Sequence, residues 1–403
     1  MNGPVLAALN VLDLSQGLSG GYCTKILADL GAQVIKIEAP AVGDYTRRIG
    51  PFLDDIPEIE ASAPFLYLNA GKKSVTLNIE ADGAKPIIQE LVQRADILVE
   101  SSKPGYLAEL GLDYSRLREI NPSLIMASIS YFGQHGPYRD YEGIELVACA
   151  LSGYMYLTGD EDREPLKAGG YQAEYQGGLA AAMAVLTALN YRDYTGEGQY
   201  VDVSTIEALA ATFDGVSVYT MLEREGIMPR RAGTRLIRRE PRAPYPSNLL
   251  PCKDGWVHVH YSPSNPEALA LLTGNPRLAD PEVLGAMNLH ADEIDQLLME
   301  WLKDHTREEV QTLAQEARIP FTMVQSIPEV MEDPQHKARD FFKIIDHPTA
   351  GTLKYPRSPF AGADDRCQLA RAPLLGEHNQ EIFCRVLGRS ARDLFRLAEL
   401  NII

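Results

Sequence analysis

The chain has 403 residues, more than one ordinary domain holds, so we expect two or three domains. Its composition, 45% hydrophobic and 23% charged, is typical of a globular protein without low-complexity segments. The formal net charge of −17 argues against a general binding surface for nucleic acid or anionic membranes. An anionic ligand therefore needs a local cluster of basic residues.

The five cysteines are scattered, and no two of them form a CxxC pair. This pattern indicates reduced thiols in a cytoplasm and argues against both a disulfide framework and a zinc site. The first residues lack the basic and apolar regions of a signal peptide, and no apolar run has membrane-spanning length. We therefore expect a cytoplasmic protein with no metal, no membrane partner and no nucleic-acid partner.

Short apolar strands alternate with helices through the first half of the chain, which predicts a doubly wound α/β fold with a parallel sheet. Strands are predicted at residues 10–15, 33–38, 74–78, 96–100, 124–130 and 200–204. Helices are predicted at residues 22–30, 83–94, 106–110, 114–120, 143–153 and 205–222. Ligands of such folds bind beyond the carboxyl ends of the strands, for example at Gln16 or Tyr131.

The first loop, at residues 17–21, is rich in glycine, but its spacing is not GxGxxG. A nicotinamide-dependent dehydrogenase is therefore poorly supported. Two basic pairs, Lys72-Lys73 and Arg47-Arg48, can neutralise phosphates. The alternative for each pair is an ordinary solvated surface.

The stretch AGGYQAEYQGG at residues 168–178 places Glu174 among small residues and directly before an apolar run. Glycines allow a bulky group to approach the backbone closely. A helix predicted to start two to four residues later offers free N–H groups and a positive dipole end. This setting suits a carboxylate nucleophile that attacks an acyl group. The alternative is that Glu174 only caps or neutralises the helix start.

Several further motifs, in their order and spacing, carry a family resemblance. They are VLD at 11–13, LADLGAQVIKIE at 27–38, GD at 43–44, NAGKKS at 69–74, ADILVE at 95–100, LSG at 151–153, TGEGQ at 195–199, and, in the tail, IP at 319–320, DP at 333–334, AR at 338–339, HP at 347–348 and APLLGEH at 372–378. With them the chain resembles the family III CoA-transferases, which include formyl-CoA transferase, carnitine CoA-transferase and α-methylacyl-CoA racemase. The resemblance runs nearly end to end.

The resemblance implies a large α/β domain formed by residues 1–225 and by the C-terminal segment 326–403. A smaller α+β domain at 226–325 begins with a connector rich in arginine and proline, and each ring-shaped subunit interlocks with another as a dimer. The smaller domain is predicted to contain a hairpin at 253–260 and helices between 266 and 317. His258 and His260 share one face of a hairpin strand, where a surface position is commoner than metal ligation.

The resemblance also implies chemistry. The family's catalytic aspartate falls on Glu174, which would form an acyl anhydride and then an enzyme–CoA thioester. CoA would be a substrate, not a permanently bound cofactor, and a free carboxylic acid would accept it. The residues implied to bind CoA are Gln16, Leu18, Ser19, Asn69, Ala70, Gly71, Lys72, Ser101, Ser102 and Lys103.

The chain departs from the family pattern at several positions. Glutamate replaces aspartate at 174, and Ala39, Ser101-Ser102 and Glu109 replace a basic residue, an Asn-Phe pair and an arginine. An active homodimeric transferase is the first hypothesis. The second is a non-catalytic or CoA-binding subunit paired with a paralogue, as in the benzylsuccinate and succinyl-CoA:malate CoA-transferases.

The third hypothesis is an acyl-CoA isomerase or racemase. The racemase branch places a histidine before the acidic residue of the motif that ends in Ser-Gly, and this chain has Ile144-Glu145 there. Without that histidine, a two-base exchange of the α-proton lacks one partner. His135 is nearby in sequence, but a histidine in a turn is usually solvated.

Overall fold

The computed structural model describes residues 4–212, 219, 222–228, 230–235, 244–261, 265, 267–359 and 369–403. The chain divides into two compact units. The first unit contains residues 1–154, 168–215 and 335–403, and the second contains residues 155–167 and 216–334. The C-terminal segment thus belongs to the same unit as the N-terminal half.

A six-stranded parallel sheet forms the centre of the first unit. Its strands are β1 Asn10–Asp13, β2 Gln33–Glu38, β3 Lys73–Thr76, β4 Ile97–Glu100, β5 Ile125–Ser130 and β6 Tyr200–Ser204. The spatial order is β3-β2-β1-β4-β5-β6, and every neighbouring pair is parallel. The predicted α/β fold is confirmed. Because the strand order reverses between β1 and β4, the carboxyl ends of these two strands flank a crevice.

The helices follow, numbered along the chain through both units. They are α1 Leu18–Asp29, α2 Ala63–Leu68, α3 Ala84–Val92, α4 Tyr106–Glu109, α5 Tyr114–Ile120, α6 Glu145–Leu151, α7 Tyr154–Leu157, α8 Gln172–Thr195, α9 Thr205–Ala210, α10 Ala268–Thr273, α11 Pro281–Gly285, α12 Ala291–Leu302, α13 Arg307–Glu316, α14 Ile327–Glu332, α15 Pro334–Ala338 and α16 Ala391–Glu399. A π-helix, Gln380–Val386, precedes α16.

Each face of the sheet carries its own apolar core, since successive side chains of a strand point to opposite faces. On one face, Leu12 and Leu98 belong to a cluster with residues of α3 and with Phe383 of the π-helix. On the other face, Val11 and Ile97 belong to a cluster with residues of α1 and α8. The sheet is therefore covered on both sides, and its carboxyl edge is left for a ligand.

Two helices begin earlier than the sequence predicts. Helix α1 starts at Leu18, so the predicted loop at 17–21 is wrong over residues 18–21. Helix α8 starts at Gln172, so Glu174 lies in its first turn and not before it. The glycines that suggested loops serve close helix packing instead: a Cβ on Gly178 would lie 2.4 Å from the backbone oxygen of Ser19.

The second unit contains an antiparallel sheet of β7 Ser247–Cys252, β8 Gly255–His260 and β9 Thr322–Met323. The predicted hairpin and the helices that follow it are confirmed, and α12 and α13 pack with the sheet around a core that includes Val257 and Phe321. The predicted helix at 205–222 is wrong as a continuous element, because α9 ends at Ala210 and a turn follows. Parts of that helix and of the connector at 230–246 lie outside the described residues.

Two strands, β10 Phe342–His347 and β11 Gly351–Pro356, form an antiparallel hairpin in the C-terminal part of the first unit.

Within the described ranges, every helix is too short or too polar to span a lipid bilayer.

Candidate functional site

A cavity of about 260 Å³ opens where the carboxyl ends of β1, β4 and β5 meet. This is the crevice at which the strand order reverses, the usual ligand site of doubly wound sheets. The structure brings seven predicted site residues together there: Gln16, Leu18, Ser19, Ser101, Ser102, Lys103 and Glu174. They come from three separate parts of the chain, so the fold itself assembles this group.

Glu174 is half-buried at the wall of the cavity, and both of its carboxylate oxygens accept hydrogen bonds. The Tyr131 hydroxyl donates to Oε1. The Ser19 hydroxyl donates to Oε2, and the Ser19 backbone N–H donates to the same oxygen at 3.3 Å. All of these donors are neutral. The carboxylate is thus oriented from both sides, and among the described residues no Lys or Arg forms an ion pair with it.

Tyr131 directly follows β5, and burial raises the pKa of its phenol well above the usual value. The nearby carboxylates of Glu174 and Glu145 act in the same direction, because they disfavour a phenolate. The hydroxyl therefore remains a proton donor throughout the neutral range. The sequence predicts only that Tyr131 lies at the carboxyl end of a strand. Its contact with Glu174 is visible only in the folded structure.

The start of α8 is capped by a carboxylate from another helix. Glu145, in the first turn of α6, accepts the backbone N–H of Ala173 at 3.2 Å and that of Glu174 at 3.1 Å. The cap residue Tyr171 makes no side-chain capping bond itself. Glu145 therefore satisfies two N–H groups that a helix start leaves without partners inside the helix. From the sequence, Glu145 is identified only as the acidic residue of the Ile144-Glu145 pair, and its contact with α8 is not predicted.

Gln16 and Ser101 join the carboxyl ends of β1 and β4. The Gln16 N–H donates to Ser101 Oγ at 2.9 Å, and the Ser101 hydroxyl donates to the Gln16 carbonyl at 2.8 Å. The Gln16 side-chain oxygen accepts the N–H of Tyr45 at 3.0 Å. These bonds hold the floor of the cavity in one geometry.

The predicted residues 69–72 do not line the cavity. Lys72 is only 3% exposed, and its Nζ donates to four oxygens, those of Asp13, Gly21, Thr24 and Asn69, at 2.7–3.1 Å. The CoA contacts of Asn69, Ala70, Gly71 and Lys72 therefore stay predictions. The ammonium group of Lys72 has a structural role in this arrangement.

In the other predicted basic pair, Arg47 is likewise engaged in ion pairs within the protein. Arg47 is fully buried and donates to Glu38 at 2.7 and 3.0 Å and to Glu60 at 2.6 Å. The hypothesis that Arg47 neutralises phosphates is wrong for this geometry. The basic side chains that do line the cavity are Lys103, which pairs with Glu142, and Arg139.

Aromatic rings form part of the cavity wall. Phe132 and Tyr141 line it, with ring centroids 6.1 Å apart, and Tyr45 lies on the side of Gln16. These rings give the cavity apolar surface beside the carboxylates of Glu142 and Glu174 and the basic groups of Lys103 and Arg139. Such a mixture suits an acyl group with both apolar and charged parts.

The histidines add no further site. His258 and His260 share a face of β8 with nearly parallel rings 6.1 Å apart, and the described residues contain no cluster of three candidate metal ligands. His135 is exposed and is not among the residues that line the cavity. Neither pattern provides a second catalytic base beside Glu174.

The profile of CoA-transferase family III matches residues 6–379 of the chain. The formyl-CoA:oxalate CoA-transferase of Streptomyces coelicolor is 32% identical over 416 residues and 100% of both chains. The succinyl-CoA:(R)-benzylsuccinate CoA-transferase subunit BbsE of Thauera aromatica is 32% identical, over 94% of each chain. The crystal structure of a CAIB/BAIF family protein from Brucella suis has a TM-score of 0.83 and 31% identity, and covers 96% of this chain and 100% of its own.

Proposed function

The chain belongs to CoA-transferase family III, and from this we propose that it moves CoA from an acyl-CoA thioester to a free carboxylic acid by way of Glu174. One observation carries the proposal. The Glu174 carboxylate lies at the wall of an open cavity on the carboxyl edge of the sheet, with neutral donors on both of its oxygens.

The proposed reaction has two halves. A Glu174 oxygen attacks the thioester carbonyl, the CoA thiolate leaves, and a mixed anhydride forms. The thiolate then attacks Cδ of Glu174, which releases the donor acid and leaves a thioester between Glu174 and CoA. The acceptor carboxylate repeats these steps in reverse, so the products are the new acyl-CoA and the free glutamate. Such a covalent relay replaces one difficult exchange by several easier steps.

Trapping the intermediate tests the proposal. The protein is incubated with formyl-CoA, succinyl-CoA or benzylsuccinyl-CoA and then treated with borohydride, which reduces the thioester, or with hydroxylamine. We expect a mass change on the peptide that contains Glu174, and only with a donor present. No mass change with any of these donors, at protein concentrations that bind CoA, would contradict the proposal.

A second candidate is a CoA-binding subunit that completes the site of a paralogous partner. Its support is that Ala39, Ser101-Ser102 and Glu109 stand where the family pattern has a basic residue, an Asn-Phe pair and an arginine. The relative BbsE is itself named as a subunit. A purified chain that transfers CoA alone at about 1 s⁻¹ or faster contradicts this candidate. Light scattering of the active preparation then gives the number of copies of this chain in the homomer, interlocked or not.

We propose that at least one of the two acids is dicarboxylic. The names of the two curated relatives contain oxalate, succinyl and benzylsuccinate, which derive from dicarboxylic acids, beside formyl, which derives from a monocarboxylic acid. Arg139 lines the same cavity as Glu174, and its planar guanidinium suits a second carboxylate.

The Arg139→Met variant tests this choice. Loss of a charged hydrogen bond costs about 1.5–3 kcal/mol, so the KM for a dicarboxylic acceptor should rise by about tenfold or more. The KM for a monocarboxylic acceptor of similar length should stay within about twofold. Equal effects on both acceptors would remove Arg139 as the group that recognises the second carboxylate.

A further inference from the structure

We propose that Ser19 forms an oxyanion site for Oε2 of Glu174, used whenever the side-chain carbonyl carbon is attacked, and that Tyr131 donates to Oε1, the oxygen that leaves with the donor acid. The inference rests on the proposed function, because it concerns the steps in which Glu174 carries the acyl group or CoA. It assigns catalytic roles to two side chains that touch the reacting atoms.

The two carboxylate oxygens are held differently. Oε2 receives two donors, the hydroxyl and the backbone N–H of Ser19. Oε1 receives one, the Tyr131 hydroxyl. An oxyanion needs several donors aimed at the oxygen on which negative charge develops. The geometry therefore assigns Oε2 as the oxygen that remains a carbonyl, and Oε1 as the oxygen that attacks the substrate.

This assignment fixes the path of each atom. Oε1 bonds to the acyl carbon and becomes the bridging oxygen of the anhydride. When the thiolate attacks Cδ, negative charge develops on Oε2, next to the Ser19 donors. The bond from Cδ to Oε1 then breaks, and Oε1 leaves within the donor acid as part of its carboxylate. Tyr131 donates to that departing oxygen, and the CoA sulfur remains on Cδ.

The second half uses the same donors. An oxygen of the acceptor carboxylate attacks Cδ of the thioester, the charge again develops on Oε2, and the thiolate leaves. The acceptor oxygen then occupies the place of Oε1 beside Tyr131. The thiolate attacks the acceptor's acyl carbon, and this oxygen stays on Glu174. Every atom is accounted for, and no further reactant is required.

The residues that support this arrangement are closely packed. Ser19 lies in the first turn of α1 and is buried, and a Cβ on Gly178 of α8 would meet its backbone oxygen at 2.4 Å. Helices α1 and α8 thus approach each other closely just where Ser19 meets Glu174. Tyr131 directly follows strand β5, which is paired on both sides by β4 and β6. Preorganised donors lose little in reorganisation when the charge develops.

The test follows the enzyme–CoA thioester in a single turnover by intact-protein mass spectrometry. Wild type, Tyr131→Phe and Ser19→Ala are each mixed with formyl-CoA, succinyl-CoA or benzylsuccinyl-CoA and no acceptor acid. Loss of one oxyanion donor costs about 10²–10³-fold, and Ser19→Ala keeps its N–H, so we expect thioester formation to slow about tenfold in Ser19→Ala. Loss of a proton donor to a leaving oxygen costs about 10²–10⁴-fold, so we expect a slowing of about 10²-fold in Tyr131→Phe. The affinity for free CoA should change by less than about twofold.

A matched control separates this role from a structural one. Tyr355 is a buried tyrosine whose hydroxyl bonds to no group of the described part of the chain, and it does not line the cavity. Tyr355→Phe should therefore form the thioester at the wild-type rate. Thermal unfolding of all variants checks that each one is folded.

The outcomes are distinct. If no donor labels the wild-type chain, the proposed function falls and this inference falls with it. If wild type is labelled and both variants form the thioester at its rate, only the oxyanion site is overturned. A loss of CoA affinity as large as the loss of rate also overturns it, because the donors would then act on binding. Slowed thioester formation with unchanged affinity supports it.

Discussion

Two carboxylates lie near the carboxyl edge of the same sheet, and the protein treats them in opposite ways. Asp13, at the end of β1, is fully buried and forms ion pairs with Lys36 at 3.6 Å and Lys72 at 3.1 Å. Glu174 is half-buried at an open cavity, and its donors are the neutral groups of Tyr131 and Ser19. The comparison shows that the donors around a carboxylate, more than its presence, separate a structural group from a reactive one.

The reason is electrostatic. Burial alone would raise the pKa of Asp13, but Lys36, Lys72 and two hydroxyls lower it to about 2, so its charge is locked in place. A carboxylate compensated in this way cannot approach a substrate. Neutral donors orient Glu174 and leave its negative charge available for attack on a thioester. The following experiments exchange or weaken these properties, beginning with the largest effect.

Glu174→Gln removes the charge that attacks the thioester and keeps the size of the side chain. We expect CoA transfer to fall by about 10³-fold or more, as for other covalent nucleophiles. Stability should change little, because the site is half-exposed. Steady-state transfer and thermal unfolding are the measurements. Glu308→Gln, at an exposed first-turn glutamate of α13, is the control and should retain full activity.

Glu174→Asp asks whether the longer side chain matters here. The shorter side chain withdraws the carboxylate from Tyr131 and Ser19 by about one bond length. Misplacement by about 1 Å costs about 10²-fold in rate, so we expect an activity between those of wild type and Glu174→Gln. Activity at or above the wild-type level would mean that these two donors are not matched to a glutamate.

Asp13→Asn should lower the free energy of unfolding and leave the rate of CoA transfer unchanged. The variant leaves Lys36 and Lys72 buried with one carboxylate fewer, and removal of one partner of a buried pair costs about 3–5 kcal/mol. Urea unfolding at pH 6 measures the loss. A decrease in transfer rate in the folded variant, with no loss of stability, would contradict the structural role.

The pH dependence of the same variant has a defined sign. The pKa of Asp13 is lowered from 3.8 to about 2 in the folded chain, so the carboxylate contributes its full stability above about pH 4. That contribution is lost as the pH falls from about 4 to about 2. The stability difference between wild type and Asp13→Asn should therefore shrink over this window. A difference that stays constant down to pH 2 would rule out Asp13 as its source.

Gly178→Ala forces α8 away from α1, because the new methyl group would lie 2.4 Å from the Ser19 backbone oxygen. Overpacking of this kind costs about 1–3 kcal/mol, and the shift also separates Ser19 from Glu174. We expect lower stability and lower activity together. In Gly285→Ala, the new methyl group meets no atom within 4 Å, so this variant should be at least as stable as wild type.

Glu145→Gln gives the smallest effect. It removes a negative charge from the start of α8 and keeps one oxygen that can accept a backbone N–H. Loss of the favourable charge at a helix N-terminus costs about 1 kcal/mol, and the position of Glu174 is only loosened. We expect slightly lower thermal stability and a transfer rate within about tenfold of wild type. Glu145→Ala, which removes both acceptors, should lie below Glu145→Gln in both measurements.

Much of the fold follows from local patterns in the sequence. The apolar strands at 10–15, 33–38 and 96–100 are short, and helical periodicity separates them, so a parallel sheet follows from the alternation itself. The family motifs are short and lie in a definite order along the chain, so the sequence alone is enough to identify the family. Glu174 also stands out locally, as one carboxylate among glycines before an apolar run.

The roles of individual side chains do not follow in this way. Gly177 and Gly178 were expected to let a bulky group approach the backbone, but they lie inside α8, where a Cβ would meet Thr205 at 2.7 Å and Ser19 at 2.4 Å. Glycine is favoured both by turns and by close helix contacts, and local sequence does not distinguish the two. Lys72 likewise lies in a stretch whose composition is typical of a surface turn, but its side chain is buried like that of a core residue.

The sequence by itself thus determined the class of fold, the family and the carboxylate at position 174, because periodicity, motif order and a lone acidic residue are local properties. Only the tertiary structure decided which groups surround that carboxylate. The start of α1 provides Ser19, the end of β5 provides Tyr131, and the start of α6 provides Glu145. These residues contact Glu174 although 29 to 155 positions of sequence separate them from it. Contacts over such separations depend on the packing of helices on the sheet, which no local pattern specifies.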